Sequence, residues 1–172
     1  AMTTVRRYAK ANGIDRLLTL TYGPPFCTDP AQLKSDLQRF IRTLRRELGC
    51  GRFPYVWVPE LHKDGVRLHA HVGLGQFIKK DRIERCWPHG ILDIRRITVS
   101  NKGSKTERAS RAAHYLTKYV GKAFADTAAL GCHRYEVGQG FQPKCERLVL
   151  DTEEYARQWA IMMMGGEIPA RD

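Results

Sequence analysis

Glu60-Leu-His-Lys-Asp-Gly-Val-Arg-Leu-His-Ala-His71 is the stretch on which the fold turns. Asp64-Gly65 separates two runs rich in strand formers, Phe53–Leu61 and Val66–Leu74, and predicts a β-hairpin. A two-residue turn at Asp64-Gly65 pairs Lys63 with Val66 and sets Glu60 directly opposite His69. His69 and His71 are two residues apart on a strand, so both imidazoles point to one face. Directly opposed Cβ atoms lie about 4.5–5.5 Å apart, which gathers a carboxylate and two imidazoles on one side of the hairpin. Trp57, Leu61, Leu68, Ala70 and Val72 fall on the other side and read as core. His-x-His alone is often just a pair of half-buried histidines; the opposed Glu60 turns it into a metal-ligand pattern. His62 shares the polar face as a fourth or substitute ligand, or as a solvated turn residue. Two nitrogens and a carboxylate suit Zn²⁺, Mn²⁺ or Mg²⁺, and geometry alone does not choose among them.

The flanking sequence supplies the rest of a sheet and its helices. Arg16–Tyr22 reads as a strand ending at Gly23-Pro24-Pro25. Asp29 as N-cap and Pro30 at the first helical position open a helix whose apolar face is Leu33, Leu37, Phe40, Ile41, Leu44 and Leu48. Its opposite face carries Lys34, Arg39, Arg42, Arg45 and Arg46, a pattern that is usually no more than a solvated surface. A short helix is expected over Ile78–Trp87, a strand over Ile91–Val99, a polar loop over Ser100–Lys105 and a long helix over Thr106–Phe124. A strand at His133–Val137, a loop around Gly138–Pro143 and a helix over Thr152–Met164 complete the reading. No repeat or linker interrupts it, so residues 1–172 are read as one α+β domain with a mainly antiparallel sheet, compatible with a larger parent protein.

Charge narrows the partner class. The chain has 172 residues, with 29 Lys and Arg against 18 Asp and Glu, a formal net charge of +11 and a pI near 9.7. A polyanion, above all nucleic acid, is the expected partner. No helix combines basic and bulky apolar faces in the manner of a membrane-surface helix, and no apolar run reaches the roughly 18 residues of a membrane span. The expectation is a soluble, intracellular protein. Cys27, Cys50, Cys86, Cys132 and Cys145 are widely spaced without a Cys-x-x-Cys pair and read as reduced thiols.

The long helix carries the second chemical feature. At 100° per residue, Ala109, Ala112, Ala113, Leu116 and Val120 make one apolar stripe, and Arg108, Arg111, Tyr115, Lys118, Tyr119 and Lys122 make a second beside it. Tyrosines edging a core beside solvated cations produce the same pattern. A phenol flanked by cations is also what attack on a phosphate requires, because positive charge favours phenolate and holds the phosphate. A metal-ligand hairpin and a cation-flanked tyrosine in one basic chain point to metal-assisted phosphoryl transfer on nucleic acid.

These features together resemble the HUH endonuclease superfamily, in particular the replication initiators of rolling-circle plasmids, phages and single-stranded DNA viruses. Leu18-Thr-Leu-Thr-Tyr22 is similar to their first, strand-borne motif, His69-Ala-His71 to the His-hydrophobic-His motif and Tyr115-Leu-Thr-Lys118 to the helical Tyr-x-x-Lys motif. Glu60-Leu-His-Lys-Asp-Gly65 resembles the segment that supplies the acidic third ligand, with one residue more before the first histidine. The tyrosine follows the histidines, as in replication initiators rather than conjugative relaxases, and the likeness extends from about Leu17 to Lys122.

The resemblance implies a five-stranded antiparallel sheet with flanking helices, a ferredoxin-like palm. It implies Mg²⁺ or Mn²⁺ on Glu60, His69 and His71, and cleavage of one DNA strand by Tyr115 through a 5′-phosphotyrosine link, followed by rejoining. Lys118 would support charge or proton transfer, and Tyr119 is a candidate second nucleophile. Single-stranded or hairpin origin DNA is the expected partner, with contacts from Arg108, Arg111, Lys122, Lys102, Lys105 and Tyr22, and a helicase in cis or trans is a further candidate partner. A transposase of the same superfamily is the nearest alternative. A non-catalytic single-strand-binding module stacking bases on Tyr22, Tyr55 or Trp87 is the alternative from another class.

Overall fold

A computed structural model describes residues 2–97, 110, 112–119, 135–144, 149 and 151–163. Helix α1 (Met2–Ala11) precedes strand β1 (Arg16–Tyr22) and helix α2 (Pro30–Leu48). Strands β2 (Tyr55–Leu61) and β3 (Leu68–Leu74) form the hairpin, followed by the short helix α3 (Lys80–Glu84) and strand β4 (Gly90–Arg96). Helix α4 is described over residues 112–119; a two-residue strand β5 (Glu136–Val137) and helix α5 (Glu153–Met163) follow. The five strands are ordered β4-β1-β3-β2-β5, and every described pairing is antiparallel. This is the α+β architecture expected from the sequence.

The hairpin keeps the expected register with a different turn. Glu60 pairs with His69 and Val58 with His71. The connection is a wider loop in place of a two-residue turn: His62 N–H donates to Arg67 O at 2.7 Å, and Gly65 N–H donates back to His62 O. Asp64 is the reason. Its carboxylate accepts from the backbone N–H of Val66 and of Arg67, both at 3.0 Å, and pairs with the Arg67 guanidinium, which favours the open loop. These donors hold the Asp64 carboxyl below the usual carboxylate range. Gly65 takes φ 71°, a conformation costly for any residue with a Cβ.

Each face of the sheet buries a separate core. On one face Leu18, Leu20, Trp57, Leu68, Ala70 and Val72 pack against Leu33, Leu37, Phe40 and Leu44 of α2 and Ile83 of α3. The Asp29 side chain accepts from Ala31 N–H to start α2, and Gly49 at φ 60° ends it, as Asp29-Pro30 predicts for the N-terminus. On the other face Leu17, Val56 and Val58 pack against Val5, Tyr8 and Ala9 of α1 and Ala112, Ala113 and Leu116 of α4. Helix α1 is absent from the sequence reading, although Val5, Tyr8 and Ala9 have helical spacing; only the sheet supplies the surface that makes ten such residues a helix.

Gly73 lets α4 sit low on the sheet. A Cβ there would lie 2.9 Å from Ile14 Cγ2, 2.9 Å from Val56 Cγ1 and 3.4 Å from Leu116 Cδ1. Gly73→Ala should therefore lower stability by about 1–3 kcal/mol through overpacking, read as a fall in the denaturant midpoint. An unchanged midpoint would show that α4 rides higher than described.

The buried phenols give a second expectation. Burial and donation to the Asp36 carboxylate raise the Tyr22 phenol far above its ordinary value near 10, and burial beside Glu136 pushes Tyr55 up to about 12. Folded-state values above the unfolded ones contribute stability that is whole below pH 10 and is lost as pH rises towards 12. Denaturant midpoints should fall across that window, and Tyr55→Phe should flatten part of the fall.

Candidate metal centre and its tyrosines

Three ligand-type side chains meet where β2 and β3 run side by side. Glu60 Oε2 lies 2.5 Å from His71 Nε2 and 3.2 Å from His69 Nε2, and one ligand atom from each residue falls within 4.8 Å of the others. Glu60 is 4 % exposed and His71 7 %, an arrangement that is expensive for polar groups unless each is satisfied. Strand β1 supplies support: Thr19 is the register partner of His71, and its Oγ1 lies 3.1 Å from His71 Nδ1. With Nε2 turned to the ligand cluster, Nδ1–H donates to the Thr19 hydroxyl and fixes the ring. His69 Nδ1 is buried with no hydrogen-bond partner among the described residues.

Two imidazole nitrogens and one carboxylate converging on a point fit a divalent cation, as expected for Glu60, His69 and His71. The identity of the ion is not set by these donors. His62 stands beside this group, with its ring centroid 4.8 Å from that of His69, and lies outside the trio of converging ligand atoms.

Helix α4 lays two tyrosines alongside. The Tyr119 ring centroid is 4.3 Å from that of His71, and the Tyr115 and Tyr119 hydroxyl oxygens are 3.0 Å apart. Tyr115 is 42 % exposed, whereas Tyr119 also packs against the α1/α4 core. Burial, the hydrogen bond from Tyr115 and the Glu60 charge raise the Tyr119 phenol to about 12, while Arg95 pulls the other way. The arrangement gives Tyr119 a protonated hydroxyl that can donate to the Tyr115 oxygen. Lys118 is exposed on the same helix.

Arg95 was not expected here. It pairs with Leu17 across β1 and β4, which puts it on the metal-centre face, and its guanidinium donates to Asp93 at 2.5 Å with both tyrosines within electrostatic reach. The signal lay in β4 itself: Leu92 and Ile94 face the α2 core, so Arg95 must face the other way.

Other anticipated contacts fall differently. Tyr22 is buried with its hydroxyl donating to Asp36 Oδ2 at 2.9 Å, on the α2 side of the sheet. It is core and cannot stack a base, which corrects the reading of Tyr22 as a DNA contact. Tyr55 and Trp87 are buried as well, leaving the base-stacking alternative without its three aromatics. Arg108, Arg111, Lys122, Lys102 and Lys105 lie outside the described residues.

A family model for the replication-associated protein ORF2 matches residues 15–124, from the start of β1 past α4. The chain belongs to the replication-associated protein ORF2 family. Searches among curated proteins and solved structures returned no match. The matched span contains every member of the Glu60, His69, His71, Tyr115 and Tyr119 cluster. Membership is consistent with a rolling-circle replication initiator and implies DNA as partner. No described helix is long and apolar enough to cross a membrane.

The Thr19 contact is testable by calorimetric titration with Mn²⁺. Glu60→Ala, His69→Ala and His71→Ala should abolish binding, and Thr19→Val should weaken it by about 10–100-fold, the usual cost of losing the group that orients a ligand. Wild-type affinity in Thr19→Val would refute the supporting role, and wild-type affinity in Glu60→Ala would refute the centre.

Proposed function

We propose that this protein is a rolling-circle replication initiator that nicks and rejoins one strand of DNA through a tyrosine. The observation that carries the reading is the seating of α4: Tyr119 against His71, and the more exposed Tyr115 hydroxyl within hydrogen-bond distance of the Tyr119 hydroxyl. Glu60, His69 and His71 would hold Mg²⁺ or Mn²⁺, which when bound polarises a phosphate oxygen.

The chain's own residues account for the remaining steps. Tyr115 Oη attacks phosphorus in line, the bond to the 3′-oxygen breaks, and the 5′ end remains esterified to the tyrosine. Tyr119, held protonated, donates to the Tyr115 oxygen and steadies its negative charge before attack. Lys118 lies one helical turn beyond Tyr115 and supports charge or carries the proton to the leaving 3′-oxygen. Arg95 adds a cation that favours a phosphate beside the two phenols. Reversal by the freed 3′-hydroxyl rejoins the strand. Accessible phosphates occur in single-stranded or hairpin DNA, which a helicase in the same or another chain would expose.

A denaturing gel of protein incubated with labelled single-stranded DNA and Mn²⁺ tests the assignment. Tyr115→Phe should abolish the covalent adduct, and Tyr119→Phe should leave the first cleavage within about tenfold of wild type, the cost of losing one supporting hydrogen bond. The opposite result assigns attack to Tyr119. Adduct from each single variant but not the double variant makes both tyrosines nucleophiles. Full-rate cleavage in the presence of chelator would overturn the metal-assisted reading.

A further inference from the structure

We infer that the outer face of α2 is a second DNA-binding surface that grips the phosphates of a paired arm flanking the strand cut at the metal centre; the inference rests on the DNA-processing reading above. Arg39, Arg42 and Arg46 are all exposed. At 100° per residue they fall within about 60° of one another, directly opposite the buried Leu33, Leu37 and Leu44, and span about 10 Å along the axis.

Nothing on the helix neutralises this row. The carboxylates of α2 are engaged elsewhere: Asp36 is 2 % exposed beneath Tyr22, and Glu47 accepts from Arg85 at 2.6 Å with Arg82 beside it. Among the described residues no carboxylate pairs with Arg39, Arg42 or Arg46; Arg46 only donates to Thr43 Oγ1 at 3.4 Å. Unpaired guanidiniums in a row on a rigid helix retain their full charge for phosphate oxygens.

The surroundings select the partner. Exposed neighbours on the outer face are Ser35 and Gln38, which hydrogen-bond but neither insert into lipid nor stack on a base. Phe53 and Tyr55, the aromatics nearest the row, are buried under Arg45. Such a surface binds backbone rather than bases. The sheet and the thickness of α2, about 10 Å with its side chains, separate the row from Glu60, His69 and His71. A strand threaded across the metal centre cannot lie along both surfaces at once, so the outer row serves the neighbouring duplex.

The test compares two probes by fluorescence anisotropy across a salt series, with the whole chain: a short single strand, and the same strand carried as the loop of a DNA hairpin. In the triple variant R39Q/R42Q/R46Q, hairpin affinity should fall by about tenfold or more and the log–log salt slope by about 2–3, near 0.9 per lost phosphate contact. Single-strand affinity and Mn²⁺ affinity should stay at wild-type values, the latter showing that the fold is intact. Equal losses on both probes would overturn the inference in favour of a diffuse positive field. No loss on either leaves a solvated face, and loss only of binding to anionic vesicles assigns the row to a membrane. If wild-type protein forms no covalent adduct but the hairpin-selective loss persists, the nicking reading fails and the duplex surface stands.

Discussion

The β2–β3 pairing is the constraint on which the rest depends. Strand side chains alternate with a period of two, so a slip of one residue would turn Glu60 into the α2 core and bring Leu61 to the metal-ligand face. The hydrophobic partners on the opposite face forbid that slip: Trp57, Leu68, Ala70 and Val72 are all buried against α2. Each such side chain contributes roughly 1.5–3 kcal/mol only on the correct face, so the packing of one side holds the ligands in place on the other. The Asp64 loop tolerates a departure from the tightest turn because register is defended by this core.

The two faces solve opposite problems. Beneath α2 the one buried carboxylate, Asp36, is occupied by Tyr22 and Gln32, with His89 Nε2 at 3.5 Å. Beneath α4 the buried carboxylate, Glu60, meets two imidazoles at the margin of the core. There the polar groups converge on one point beside exposed phenols instead of being distributed among structural partners. That difference makes one cluster scaffolding and the other a centre. Gly73 contributes to it by letting Leu116 approach the sheet, which brings Tyr119 down onto His71.

Positive charge is arranged in layers around this plan. Arg95 stands with the tyrosines on the metal face, whereas Arg39, Arg42 and Arg46 form the far boundary of α2. A chain of net charge +11 attracts DNA from any direction, but these positions give the field two separate surfaces.

Much of the molecule was legible in its residue order because the decisive relations are local. Asp29-Pro30, Asp64-Gly65 and the alternation around His69 and His71 predict a helix start, a hairpin and a ligand face from neighbours a few residues apart. Tyr115 and Tyr119 share a helix face for the same reason. What the tertiary structure alone decided involves long separations: Thr19 beneath His71, Arg95 beside α4, helix α1 against Val56, and the burial of Tyr22, Tyr55 and Trp87. A tyrosine on a strand reads alike whether its ring meets solvent or Asp36, because exposure belongs to the layer packed above it. Local periodicity tells which residues share a face; only the packing of one element on another tells what that face meets.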